Sequence, residues 1–118
     1  MASRTPLAVA EAYFEEWRDK DFVVIRALLH DDVAFNGPFV SPRSAEDVID
    51  AIIQLGGMVK TLEKQNVLTG GHDVCIIYDL VPLKDAPSVA MSEVYTVTGE
   101  KISAISVIFD TAAFTAIF

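Results

Sequence analysis

With 118 residues, 52% of them hydrophobic, the chain has apolar material for one core and no length for a second, so residues 1–118 read as a single domain. Nine Lys and Arg against 17 Asp and Glu leave a net charge of −8, which repels phosphate backbones and anionic lipid and excludes nucleic acid and membrane as expected partners. One cysteine, Cys75, excludes an intrachain disulfide; with no signal-peptide pattern and no apolar run near the ~20 residues of a spanning helix, a reduced, cytoplasmic setting is expected.

In chain order, Thr5 followed by Pro6 opens the first helix, a capping hydroxyl and then a proline where its missing N–H does no harm. Leu7, Ala10, Tyr13, Phe14 and Trp17 repeat at helical spacing, predicting a helix over about 6–18. Asp21 caps a shorter one over about 21–29, with Phe22, Ile25, Leu28 and Leu29 on one face. Val33-Ala34-Phe35 reads as a short strand closed by Gly37-Pro38. Ser44 and Asp47 approximate a capping box for a third helix, whose stripe is Val48, Ile49, Ile52, Ile53 and Leu55 and whose stop is Gly56-Gly57. Beyond it the period becomes strand-like, with strands expected over about 58–69, 73–82, 88–97 and 101–110, joined by hairpin-length turns that force antiparallel neighbours. Three helices followed by a meander make an α+β domain, helices on one face of a curved antiparallel sheet.

Two carboxylates interrupt strands that otherwise read as buried: Asp79 after Val74-Cys75-Ile76-Ile77-Tyr78, and Glu93 between Met91-Ser92 and Val94-Tyr95. Removing an ionised carboxylate from water costs several kcal/mol or forces it to take up a proton, so the pair marks a candidate site. Glu93 shares a face with Met91 and Tyr95. It reads either as an acid of raised pKa that donates or shuttles a proton, or as a solvated residue of the outer face. Asp79 shares a face with Cys75 and Ile77 and is expected opposite or next to Glu93; the open alternatives are an exposed turn residue, or a register one residue off that puts Tyr78 in its place. Tyr13 and Trp17, one helical turn apart, read as core packing or as pocket wall, and Tyr13 carries a hydroxyl that needs a partner when buried. His30 and His72 stand beside aspartates in expected turns, without ligand spacing, so no metal is expected. Without a glycine-rich phosphate loop or a nucleophile elbow, no cofactor is expected either. The tail from Ala112 to Phe118 is apolar, and Phe114, Ile117 and Phe118 would close a pocket mouth or meet a second subunit.

The helix carrying Tyr13, then the run from Leu28-Leu29-His30-Asp31-Asp32 to Gly37-Pro38, then Glu93-Val94-Tyr95 and Lys101-Ile102 through Phe109-Asp110, resemble the nuclear-transport-factor-2-like superfamily, and most of all its SnoaL-like branch, named for polyketide cyclases. The resemblance implies a cone-shaped α+β barrel of cystatin-like topology. It implies a pocket for a small hydrophobic molecule between the sheet's concave face and the first helix, and a homodimer through the outer face. Against the ketosteroid isomerases, Tyr13 falls where the oxyanion-binding tyrosine lies and Glu93 where the protonated acid lies; the position of the general-base aspartate is Gly37, beside Asn36. Against the limonene epoxide hydrolases, the last-strand acid corresponds to Val107 and the arginine of the mid-sheet pair to Ile77, and only the aspartate is kept, as Asp79.

The expected catalytic residues are therefore Glu93, Asp79 and Tyr13, with Trp17, Phe35, Tyr95, Val107 and Phe109 lining the pocket. The activity implied by the resemblance is acid–base isomerisation, cyclisation or dehydration of a bound apolar molecule. The alternative is a non-catalytic ligand-binding or dimerisation module whose pocket is filled by its own side chains.

Overall fold

The computed structural model describes residues 4–118. Its elements run α1 (Pro6–Asp19), α2 (Phe22–Ala27), β1 (Leu29–Asn36), α3 (Ala45–Gly56), β2 (Val59–Gly70), β3 (Asp73–Pro82), β4 (Val89–Thr98), β5 (Lys101–Phe109) and α4 (Thr111–Ile117). The caps fall where the side chains dictate. The Thr5 hydroxyl accepts from the Ala8 N–H at 3.1 Å, Asp21 from Val24 at 3.2 Å, and Ser44 from Asp47 at 3.2 Å. Gly57 ends α3 in an ordinary right-handed conformation, and Gly56 lets α3 lie close to α2: a Cβ there would lie 3.0 Å from the Phe22 ring.

The sheet order is β1-β5-β4-β3-β2, and the sheet is curved without closing. Three hairpins make β2 to β5 antiparallel, as expected from their short turns. The first strand departs from the expected all-antiparallel sheet. It is longer than Val33–Phe35 and pairs with β5 in parallel, Phe35 against Ile105. A long crossover through α3 and the meander permits that direction. Extra residues bend the sheet, Lys60 and Gln65 on β2 and Ser103 on β5 each standing unmatched by the partner strand.

Helix α1 lays Val9, Ala10, Tyr13, Phe14 and Trp17 onto the concave face, and α3 packs against both edge strands, β1 and β2. On β3 and β4 every second residue points inward: Val74, Ile76, Tyr78 and Leu80, and opposite them Val89, Met91, Glu93, Tyr95 and Val97. A fourth helix was not expected. The Asp110 carboxylate accepts from the N–H groups of Ala112 at 3.0 Å and Ala113 at 3.1 Å, so the apolar tail forms α4. His30 lies within β1 rather than in a turn, with Nε2 2.6 Å from the Thr98 carbonyl.

Candidate functional site

Glu93 is the one charged or polar residue buried below the surface among the described residues, 7% exposed. Its cross-strand neighbours are apolar, Ile76 on β3 and Val107 on β5, so the strands offer it no charge. Tyrosines do the work instead. Tyr95, two residues along the same face, donates its hydroxyl to Glu93 Oε1 at 2.5 Å, and Tyr78 from β3 donates to the same oxygen at 3.1 Å. Tyr13 reaches in from α1, its ring centroid 5.3 Å from that of Tyr95, and its buried hydroxyl has no protein partner.

Burial pushes the Glu93 carboxyl up from 4.5 to about 7, and the hydroxyls of Tyr95 and Tyr78 hold back a larger rise. Burial also pushes all three tyrosines well above their ordinary range, with the neighbouring Glu93 adding to it. At neutral pH the tyrosines therefore keep their protons, Tyr78 and Tyr95 donating theirs to the carboxylate, and Glu93 is the group whose proton is exchangeable. Because both hydroxyls go to Oε1, Oε2 is the oxygen left without a protein partner.

In front of Glu93 lies a cavity of about 250 Å³. The sheet supplies Tyr78, Met91, Glu93, Val107 and Phe109 to its wall; α1 supplies Trp17, β1 supplies Phe35, and α3 supplies Val48, Ala51, Ile52 and Leu55. Gly37, Pro38, Phe39 and Val40 of the following loop, with Phe114 of α4, form the mouth. There the rings of Phe39, Phe109 and Phe114 cluster, centroids 4.6 to 6.0 Å apart, and Phe118 stacks behind Phe114 at 4.7 Å. Glu93 is the only charged side chain in this wall.

Of the residues expected from the sequence, Glu93, Trp17, Phe35, Val107 and Phe109 line the cavity together. Tyr13 and Tyr95 stand one layer behind, around the carboxylate rather than in the wall. Asp79 is separated from them. It lies between Glu63 and Ala90 in the sheet, Ile76 being the residue opposite Glu93, so the expected Asp79–Glu93 neighbourhood is corrected. Tyr78 takes the inward position, and Asp79 on the other face accepts a hydrogen bond from Gln65 Nε2 at 3.0 Å. Asp79→Asn is expected to change unfolding free energy by less than about 0.5 kcal/mol in urea titrations, and to leave the Glu93 titration where it is.

Sequence reasoning missed the α3 wall and Phe39. A helical stripe facing a cavity reads the same as one facing a core, and Phe39-Val40 after Gly37-Pro38 carries no periodic signal; the structure shows both exposed at the mouth. Gly37 itself borders the cavity, where a Cβ would lie 3.1 Å from the Phe35 ring and 3.4 Å from a Val107 methyl.

No family model matches the chain, and no curated protein does. Solved structures do. A protein of unknown function from Cytophaga hutchinsonii, described as NTF2-like, superposes with a TM-score of 0.82 at 20% identity over 98% of this chain and 99% of that one. This chain has the nuclear-transport-factor-2-like fold. An LEH-like epoxide hydrolase of M. tuberculosis matches at TM-score 0.79 and 18% identity, covering 95% of this chain and 88% of its own. A de novo designed protein with a curved β-sheet matches at 0.84 and 17% identity, over 99% of this chain and 94% of its own. Similar backbones thus belong to a protein described as an epoxide hydrolase and to a de novo designed protein, and function has to be argued from the cavity.

Proposed function

We propose that this chain binds a small apolar molecule of one or two rings in the cavity and exchanges a proton with it through Glu93. The observation that carries the reading is a single buried carboxyl, titrating near neutral pH, in an otherwise uncharged cavity. The volume, about 250 Å³, exceeds the ~150 Å³ that accommodates benzene and is small for a four-ring steroid. An open cavity of this size also speaks against a pocket filled by its own side chains. Isomerisation, cyclisation or dehydration by one carboxyl, acting in turn as acid and base, is the reaction class this supports. A ligand carrier without turnover is the second reading, favoured by Gly37 where a second acid would stand. A homodimer through the outward face of the sheet, where Ile77, Val94 and the exposed Ile108 lie, belongs to the same proposal.

Trp17, the chain's only tryptophan, lines the cavity and reports on its occupancy. Titration with 1-indanone is expected to change Trp17 emission saturably, and Ala51→Phe, which fills the α3 wall, is expected to weaken that binding at least about tenfold. Equal binding by both proteins, or by neither, would remove the cavity as the ligand site. Native mass spectrometry of the purified chain counts subunits and weighs any retained ligand in the same measurement.

A further inference from the structure

The chemistry of the cavity wall favours one class of ligand over the others. An acidic ligand would bring a second negative charge to a site whose only charged group is already a carboxylate, and no lysine, arginine or histidine lines the wall to compensate it. A ketone or enol, developing negative charge on oxygen, needs at least two donors converging on one point. The wall's donors are scattered over three elements, the proton on Glu93 Oε2 from β4, the Trp17 indole N–H from α1 and the Gln54 amide from α3. The Tyr13 hydroxyl is not in the wall, and those of Tyr78 and Tyr95 are both committed to Oε1. A basic nitrogen reverses each of these objections. Two donated hydrogen bonds at Oε1 suit Glu93 in its ionised form, so what the ionised site lacks is a cation at Oε2. The remaining wall is rich in rings, Trp17, Phe35, Phe39, Tyr78, Phe109 and Phe114, whose negative faces attract ammonium. The net charge of −8 draws cations toward the molecule as a whole.

We propose that the cavity takes a small hydrophobic amine, held as its ammonium form with the carboxylate of Glu93 as counter-ion. This rests on the reading of the cavity as a ligand site. The proton balance is simple. A neutral amine takes the Oε2 proton onto its nitrogen lone pair, giving ammonium and carboxylate; an amine that arrives protonated leaves the Glu93 proton to be released to solvent. The groups that face Glu93 are Tyr95 on its own strand, Tyr78 on β3 and Tyr13 on α1, with apolar Val107 on β5, and all three tyrosines stay neutral over the range concerned.

The pH dependence gives amine and neutral ligand opposite signs. With Glu93 titrating at about 7, amine affinity falls about 25-fold between roughly pH 7.5 and 5.5, because the carboxylate must first lose its proton. A carbonyl ligand accepting the Oε2 proton binds better, not worse, over the same descent. The test follows Trp17 emission with the isosteric pair 1-aminoindane and 1-indanone at both pH values, in wild type and in Glu93→Gln. The expected result is at least about tenfold preference for the amine at the higher pH, loss of that preference at the lower pH, and its loss at both in Glu93→Gln. Should indanone bind as tightly as the amine, or the amine show no gain with rising pH, the amine proposal is overturned while the cavity reading stands. Binding of neither probe overturns both. The wild-type pH comparison decides even where the variant does not fold.

Discussion

Glu93→Gln is expected to flatten the pH dependence of stability between about pH 4.5 and 7 and to make the chain more stable than wild type above that range. In the folded chain burial raises the Glu93 pKa from 4.5 to about 7, so within that window the folded state keeps a proton that the unfolded state has released. Stability falls with rising pH wherever the folded state binds more protons. The contribution is fully present below about pH 4.5 and is lost as pH climbs through 7, where the folded chain must bury an ionised carboxylate. The interval between 4.5 and about 7 corresponds to ~3 kcal/mol. Glutamine retains an acceptor for the Tyr95 and Tyr78 hydroxyls but carries no proton to lose, so this component disappears. Urea titrations of both proteins at about pH 5, 6, 7 and 8 measure the difference curve, in which the other titrating groups cancel. Parallel curves would show that Glu93 is solvated in the folded chain.

The parts of this site that were legible in the sequence are those where one residue type settles a local choice. Thr5-Pro6, Asp21 and Ser44 cap the helices they were expected to cap, and β3 runs over Asp73–Pro82 as the spacing indicated. The alternation of Met91, Glu93 and Tyr95 ties those three to one face of β4 and leaves open which face that is; in the structure it is the inner one. On β3 the same rule fails. Val74 and Ile76 on one face and Cys75 and Ile77 on the other are equally apolar, so the pattern does not say whether Tyr78 or Asp79 points inward. The decision comes from outside the strand, where the Tyr78 hydroxyl finds Glu93 and the unmatched Gln65 of β2 finds Asp79. The parallel pairing of β1 with β5 had no local signal, since Phe35 and Ile105 meet across a separation that no turn motif spans. The helix α4 is hidden in an apolar tail that reads as a pocket closure or an interface; Asp110 reads as a residue that caps or orders the C-terminal turn, and its carboxylate on two backbone N–H groups makes that turn a helix.

The two buried tyrosines around Glu93 that differ in partnership should respond in opposite directions to the same chemical change. Tyr95→Phe removes the 2.5 Å hydrogen bond to Oε1 and leaves Tyr78 as the remaining donor at 3.1 Å. A hydrogen bond to a charged group is worth ~1.5–3 kcal/mol, whereas one to a neutral acceptor is worth about 1. Tyr95→Phe is therefore expected to destabilise the chain by ~2–3 kcal/mol at about pH 8, where Glu93 is ionised, and by about 1 kcal/mol at about pH 5, where it is not. The loss also drives the Glu93 pKa further above 7, visible as an upward displacement of the carboxyl titration in carbon-detected NMR. Tyr13→Phe deletes a hydroxyl that is buried without a protein partner, so the folded chain no longer carries its uncompensated desolvation. That variant is expected to be neutral or more stable by up to ~1 kcal/mol at both pH values, because the Phe ring keeps the contact with Tyr95. If Tyr13→Phe instead destabilises by ~1 kcal/mol or more, its hydroxyl is satisfied by an ordered water behind the carboxylate.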